Sequence, residues 1–107
     1  MPNGMAERRR APRYPLILTA VVTEAQSGAK LDARTSDVSR TGCYIDTLNP
    51  TPAGTAIILR LTQGEESFET RAKVVYESPG LGMGVAFVDM PADQRALLDK
   101  WLAAVAG

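Results

Sequence analysis

The residues best suited to bind a charged ligand lie in two short segments of the chain. The first is Glu7-Arg8-Arg9-Arg10-Ala11-Pro12-Arg13-Tyr14, which holds four of the twelve Lys and Arg residues. The second is Asp37-Val38-Ser39-Arg40-Thr41-Gly42. Arginine can bind phosphate or the O6/N7 edge of guanine through two parallel hydrogen bonds, and its flat face stacks on purines. A carboxylate such as that of Asp37 accepts hydrogen bonds and therefore suits the donor edge of guanine.

Together, the two segments predict one site for an anionic ligand that carries guanine. Arg9 and Arg13 are four residues apart with Pro12 between them, so in an extended arm each can approach a ligand from a different angle. Ser39 supplies a small hydroxyl group, and Gly42 leaves space where ligand and backbone must approach closely. A carboxylate would repel a bare phosphate, and this favours a guanine nucleotide over a simple phosphate.

Each segment alone also has a simpler interpretation. A run of arginines at an N-terminus is commonly a solvated arm, and Asp, Ser and Gly are frequent turn residues at strand ends. Gly82-Met83-Gly84 is interpreted as close packing or a β-bulge, because the strand-to-helix context and downstream lysine of a phosphate-binding loop are missing. Tyr44 and Tyr76 are interpreted as core or barrel-rim residues rather than stacking platforms.

The composition argues against an enzyme and against a metal site. The chain has no histidine, and Cys43 is its only cysteine. Cys43 is therefore predicted to be a small buried residue, since no histidine can activate it as a nucleophile. A Cys/His cluster for zinc is also excluded. We predict no catalytic residues and no metal ligands.

Charge is balanced over the chain but unevenly distributed. Residues 1–13 hold four Arg and one Glu, a net charge of +3, and the remaining eight cationic and eleven acidic residues give −3. The basic arm is thus a local feature on a mildly acidic body. No apolar run approaches the roughly 18 residues of a membrane span, and the N-terminus lacks a signal-peptide pattern. With a single cysteine, this predicts a cytoplasmic protein without membrane insertion.

The segments that follow the arm alternate between apolar and polar residues, which is typical of β-strands. Leu16, Leu18, Ala20 and Val22 are predicted to share one face of the first strand. One face of the fifth is predicted to hold Phe68, Thr70, Ala72, Val74 and Tyr76. After Pro91 the period changes, and one apolar stripe recurs at helical spacing: Leu97, Leu98, Trp101, Leu102 and Val105. The predicted strands are 16–23, 31–36, 43–47, 55–62, 68–77 and 83–87, and the predicted helix is 91–105. The pattern predicts a mainly β protein, a six-stranded antiparallel β-barrel with a C-terminal helix, because closure removes exposed sheet edges.

These predictions divide the chain into parts with different expected roles. Residues 1–6 are expected to be a disordered leader, and residues 7–107 a single domain. Within that domain we expect a ligand-binding arm (7–14), a barrel (15–88) and the helix (91–105).

The two motifs, their order and the predicted barrel resemble the PilZ domains, bacterial receptors for cyclic diguanylate (c-di-GMP). The resemblance rests on Arg8-Arg9-x-x-x-Arg13 followed by Asp37-x-Ser39-x-x-Gly42. The segment 82–87 also resembles the late strand of that family. The likeness extends from about residue 7 to residue 105 and implies a stand-alone PilZ-like split barrel whose arm wraps the ligand against one barrel face.

The resemblance also implies a role for each signature position. Arg9 and Arg13 would bind guanine edges and phosphates. Asp37 would accept hydrogen bonds from the Watson–Crick edge of a guanine, and Ser39 and Gly42 would line the base and the phosphate.

One more cation bears on the number of ligands. Arg8 directly precedes the first arginine of the motif, and in this family such an arginine implies two stacked c-di-GMP molecules in one site. Arg10 receives no role.

The predicted function is that of a non-enzymatic receptor. Binding of c-di-GMP would order a mobile, basic arm and create a surface that a downstream protein partner recognises. One alternative is a ligand-free, PilZ-like adaptor that binds a protein. The other is a barrel that binds nucleic acid polymers, which is disfavoured because Phe68, Tyr76 and Phe87 are predicted on apolar faces.

Overall fold

A computed structural model describes residues 11–107 of the chain. It contains six strands and a C-terminal helix, in the order that the sequence predicts. The elements are β1 (Thr19–Glu24), β2 (Lys30–Val38), β3 (Gly42–Asp46), β4 (Ala56–Gln63), β5 (Glu66–Ser78), β6 (Gly82–Val88) and α1 (Ala92–Ala106). The predicted leader and residues 7–10 of the predicted arm lie outside the described residues.

The strands close into one antiparallel barrel with the order β1-β2-β3-β6-β5-β4. Strand β1 pairs with β2 on one side and with β4 on the other, and this second pairing closes the sheet. Each of these six strands is therefore paired along both edges, which protects the backbone from intermolecular strand pairing. The predicted fold class, a six-stranded antiparallel β-barrel with a C-terminal helix, is confirmed.

The inward face of the first strand is the one that alternation predicts. Leu16, Leu18, Ala20 and Val22 are all buried. Regular pairing begins at Thr19, and Thr35 holds the residues before it. Thr35 Oγ1 accepts from Leu18 N at 2.9 Å and donates to the Leu16 carbonyl at 2.7 Å, and Thr35 N donates to the Leu18 carbonyl at 2.9 Å. This hydroxyl joins the segment before β1 to β2.

The C-terminal helix packs against the barrel through one apolar stripe. Leu98, Trp101 and Leu102 are buried, and the ring centroid of Trp101 lies 5.4 Å from that of Phe68. Burying side chains of this size stabilises the fold by about 1.5–3 kcal/mol each. The indole Nε1 of Trp101 donates to Glu66 at 2.9 Å, so its polar atom is satisfied.

The helix begins one residue later than predicted. Pro91 has ψ 149°, which is extended, and its carbonyl accepts from the amides of Gln94 and Arg95. Pro91 therefore precedes the first helical residue. Val105, predicted to belong to the apolar stripe, is 37% exposed near the end of the helix. Within residues 11–107 no helix has the length and hydropathy needed to cross a membrane.

Candidate functional site

The end of the arm is paired with the strand that carries the second motif. Tyr14 N donates to the Val38 carbonyl, and Val38 N donates to the Tyr14 carbonyl, both at 2.9 Å. Tyr14 also packs against the core. Because this bridge is antiparallel, Arg13 and Asp37 lie diagonally across it on the same face, within reach of a long arginine side chain.

Arg13 and Asp37 form an ion pair. Arg13 Nε and Nη2 both donate to Asp37 Oδ1, at 3.0 and 2.7 Å. Their side chains are 45% and 34% exposed, respectively. A cationic donor and an anionic acceptor thus lie together at the surface, and their chemistry suits a nucleotide that carries both phosphate and guanine.

A β-bulge turns Asp37 toward solvent. In the pairing of β2 with β3, Thr35 lies opposite Ile45 and Asp37 lies opposite Tyr44, so Ser36 is an extra residue. Strict alternation would place Asp37 on the same face as Thr35, which is fully buried. The extra residue reverses the direction of the side chain that follows, and the carboxylate reaches the outer face of the barrel.

The turn between β2 and β3 is held by Ser39. This side chain is buried, and its Oγ accepts from Thr41 N and Gly42 N, both at 3.2 Å. Ser39 N in turn donates to the Gly42 carbonyl at 2.8 Å. In this structure the Ser39 hydroxyl shapes the turn from inside.

Gly42 and Gly84 allow close packing on the outer face. A Cβ on Gly42 would overlap the backbone oxygen of Val85, and a Cβ on Gly84 would overlap the ring of Tyr76. A third glycine, Gly82, meets the ring of Tyr44 in the same way. These contacts confirm close packing for Gly82-Met83-Gly84.

A second β-bulge lies in β5 and exposes a tyrosine. Val74 pairs with Val85 and Tyr76 pairs with Gly84, so Val75 is the extra residue. The prediction that Tyr76 shares the core face with Val74 is therefore wrong. Its side chain is 49% exposed on the outer face, because the bulge shifts the alternation by one residue.

Four residues form a row across four adjacent strands between the two bulges. Asp37 pairs with Tyr44, Tyr44 with Gly84, and Gly84 with Tyr76. The Tyr76 ring lies over Gly84 and the Tyr44 ring lies over Gly82. The ring centroids are 6.1 Å apart, with an angle of 37° between their planes. The carboxylate is thus followed by an aromatic surface that could support a flat base.

An open cleft of about 260 Å³ lies beside this row. Its walls include Arg13 at one side and Tyr76 at the other, with small residues between them. The lining residues are Arg13, Thr41, Gly42, Cys43, Val75, Tyr76, Gly84, Val85 and Ala86. A cationic wall, an aromatic wall and a floor of glycine and alanine suit a purine ring lying flat against the strands.

Cys43 does not add reactivity to the cleft. The residue is fully buried, and this burial raises the pKa of its thiol to about 12; the nearby carboxylate of Asp37 acts in the same direction, and Arg13 opposes it. The thiol is therefore protonated at neutral pH and is a poor nucleophile. Across residues 11–107, no three Cys, Asp or Glu side chains come together as metal ligands would.

The structure describes four of the six predicted ligand residues. Arg8 and Arg9 lie outside the described residues. Arg13 and Asp37 contact each other, and Gly42 lines the same cleft. Ser39 lies under the turn, with its hydroxyl bonded to the backbone.

The aromatic part of this surface was not predicted from the sequence. Tyr76, Gly84 and Ala86 line the cleft. One signal was available, because Gly82, Gly84 and Ala86 alternate with the larger Met83 and Val85 along one strand. Such a strip of small side chains indicates a flat outer surface to which a ligand or a ring can come close.

Comparisons with solved structures show the same fold in three bacterial proteins. The chain is similar to the PilZ domain with c-di-GMP of YcgR from Escherichia coli, with a TM-score of 0.77 and 15% identity over 92% of each chain. It is also similar to the PilZ domain of CeSA from a cellulose-synthesising bacterium, with a TM-score of 0.71 and 17% identity over 90% of this chain and 99% of that one.

The third structure is the inhibitor of motility MotI/DgrA of Bacillus subtilis. Its TM-score is 0.71 at 20% identity, and the match covers 91% of this chain but 51% of MotI, so the present chain spans about half the length of that protein. The curated proteins contain no match.

The family comparison covers both motifs and the whole barrel. The profile described as PilZ domain matches residues 7–104. This range includes the ion pair of Arg13 with Asp37, the turn at Ser39 and most of α1. Neither this profile nor the structure of the YcgR domain indicates a catalytic family. The chain belongs to the PilZ domain family.

Proposed function

We propose that this protein is a non-enzymatic receptor for c-di-GMP. The observation that carries the proposal is the contact between Arg13 and Asp37 at the edge of the cleft. The two side chains have complementary uses, since Arg13 can donate to a phosphate or to guanine O6/N7 and Asp37 can accept from guanine N1–H and N2–H₂. The c-di-GMP that accompanies the PilZ domain of YcgR carries both groups.

The ligand would lie against the outer face of β3, β6 and β5. Its base has a flat floor at Gly42 and Gly84, and Tyr76 offers a ring at the far side of the cleft. Stacking on an aromatic ring stabilises a bound base by about 1–3 kcal/mol. Ser39 contributes by holding the turn that presents Gly42.

The arm would complete the site. Arg9 is proposed as a second cationic contact, and Arg8 as the residue that allows two stacked c-di-GMP molecules. In this scheme residues 7–14 are a ligand arm and residues 7–107 are one domain. A polyanionic ligand would neutralise the arm and fix it against the barrel, and a protein partner would recognise the combined surface. We place the receptor in the cytoplasm, in line with its single, buried thiol.

Calorimetric titration with c-di-GMP tests the proposal. We expect saturable heat and a stoichiometry of one or two ligands per chain. Cyclic diadenylate, which lacks the guanine donor edge, is the comparison ligand and should bind more weakly. A random single-stranded oligonucleotide should bind no better than the cyclic diadenylate. Absence of heat with c-di-GMP would overturn the proposal and favour the adaptor that binds a protein without this ligand.

A further inference from the structure

The C-terminal helix contacts the turn of the second motif through one side chain. Arg40 lies in that turn, between Ser39 and Thr41, and reaches Asp99 on α1. Arg40 Nε donates to Asp99 Oδ1 at 2.8 Å and Arg40 Nη2 donates to Asp99 Oδ2 at 3.3 Å. This two-point geometry fixes the orientation of the guanidinium as well as its position.

A second helix residue holds the backbone of the same turn. Arg95 Nη1 donates to the backbone carbonyl of Arg40. Arg95 and Asp99 are four residues apart on α1 and therefore lie on one face of the helix. Asp99 thus binds the side chain of Arg40, and Arg95 binds its main chain. We call these three residues the Arg40 cluster.

The helix is itself fixed to a different part of the barrel. Lys100 donates to Glu66 at 2.7 Å, and Gln94 accepts from the backbone amide of Glu69 at 2.7 Å. Leu98 and Trp101 are buried beneath these contacts. Since the buried Leu98 and Trp101 hold α1 on the barrel beneath these exposed polar contacts, the helix can act as a fixed support for the turn.

The turn held by the Arg40 cluster joins two residues that are proposed to face the ligand. Asp37 lies at the end of β2 and Gly42 at the start of β3, so a shift of Arg40 moves the backbone between them. A misplacement of about 1 Å in a positioning group is enough to weaken recognition substantially. Support from α1 therefore bears directly on the geometry of the site.

We propose that Arg95 and Asp99 are positioning residues for the ligand site. They hold the turn 39–42 so that Asp37 and Gly42 keep the geometry that the ligand requires. This inference rests on the proposed function. Docking of α1 is expected to increase the affinity for the ligand. Because linked equilibria are reciprocal, ligand binding then strengthens the docking of α1 by the same factor.

The test compares two helix variants that have opposite effects on charge. Asp99→Asn removes a negative charge near a polyanionic ligand, and Arg95→Gln removes a positive charge. A purely electrostatic effect would tighten c-di-GMP binding in the first variant and weaken it in the second. Positioning predicts that both variants weaken binding, by roughly 3- to 10-fold. Arg95→Lys, which keeps a donor for the Arg40 carbonyl, should recover part of the loss.

Lys100→Gln is the matched control. It removes an exposed ion pair of α1 with β5 and leaves the Arg40 cluster intact, so binding should change less than about twofold. Urea unfolding of every variant separates a loss of fold from a loss of positioning. If Asp99→Asn binds as tightly as the parent chain or more tightly, the proposal is wrong.

Amide hydrogen exchange of Thr41 and Gly42 gives a readout that needs no ligand. Both amides donate to Ser39 Oγ within the turn, and we expect faster exchange in Asp99→Asn and Arg95→Gln than in Lys100→Gln. If the parent chain fails to bind c-di-GMP but exchange accelerates as expected, the proposed function fails and the support of the turn by α1 stands. If binding is intact and neither exchange nor affinity changes, the positioning proposal fails alone.

Discussion

Arg13 and Asp37, which are 24 residues apart in the chain, are joined by two hydrogen bonds to a single carboxylate oxygen. Each side chain is a predicted ligand contact, and in this structure the two side chains are bonded to each other. A ligand that used the bonded atoms would have to exchange this ion pair for its own contacts. Because both side chains are partly exposed, the pair itself contributes about 0–1 kcal/mol to stability.

Removing either motif arginine should weaken c-di-GMP binding. We expect Arg9→Ala or Arg13→Ala to cost about 1 to 3 kcal/mol, or roughly 5- to 150-fold in dissociation constant, because each removes charge-assisted hydrogen bonds. Calorimetry measures the change. Arg60→Ala, on β4 and paired with Glu69, is the control and should bind like the parent chain. Unchanged affinity in both motif variants would remove the basis for an arginine clamp.

Replacing Asp37 should reduce selectivity for guanine. Asp37→Asn keeps the size of the side chain but loses an acceptor for the N1–H and N2–H₂ donors. The ratio of the affinities for c-di-GMP and cyclic diadenylate should fall by roughly 10-fold or more. Asp32→Asn, on the same strand and exposed, should leave the ratio unchanged. A ratio that stays constant in the Asp37 variant would assign base recognition to other residues.

Arg8 should control the number of bound ligands. If Arg8 supports a second, stacked c-di-GMP, Arg8→Ala should lower the calorimetric stoichiometry from two to one per chain. Arg10→Ala changes the charge of the arm equally and has no assigned role, so it should retain two. The same stoichiometry in both variants would show that Arg8 has no special part in ligand number.

The packing of Tyr76 on Gly84 should appear in a double-mutant cycle. Gly84→Ala introduces a methyl group against the Tyr76 ring, and it should lower the free energy of unfolding by about 1–3 kcal/mol. In a Tyr76→Ala background the same change should cost less, because the obstructing ring is absent. Gly42→Ala, which meets the backbone of Val85 instead, should not be relieved. Additive free energies of unfolding for Gly84 and Tyr76 would contradict this packing.

Cys43 should make stability fall as pH rises. Burial raises the pKa of the folded thiol to about 12 from a usual 9.0, so the unfolded chain loses its proton first. The stabilising effect is complete below pH about 9 and is lost progressively up to about 12. Urea unfolding of Cys43→Ala should show a shallower decline over this range than the parent chain. Parallel curves for the two proteins would mean that the thiol does not titrate differently in the folded state.

Much of the fold was predictable because each element has a local pattern. Leu16, Leu18, Ala20 and Val22 alternate along the first predicted strand, and all four are buried. Leu98, Trp101 and Leu102 recur at helical spacing and form the buried face of α1. Boundaries were harder to predict, since Pro91 could precede the helix or begin it, and only its backbone angles decide between these positions.

The two motifs could be recognised from the sequence alone, because arginine, aspartate and glycine have distinct chemistry wherever they lie. The outward direction of Asp37 and Tyr76 was decided only in the tertiary structure. Each comes directly after a bulge, at Ser36 and Val75, that adds one residue to a strand and reverses the direction of the next side chain. The pairing with neighbouring strands determines where such an extra residue lies. That pairing is non-local, so the alternation of apolar and polar residues along one strand does not predict it.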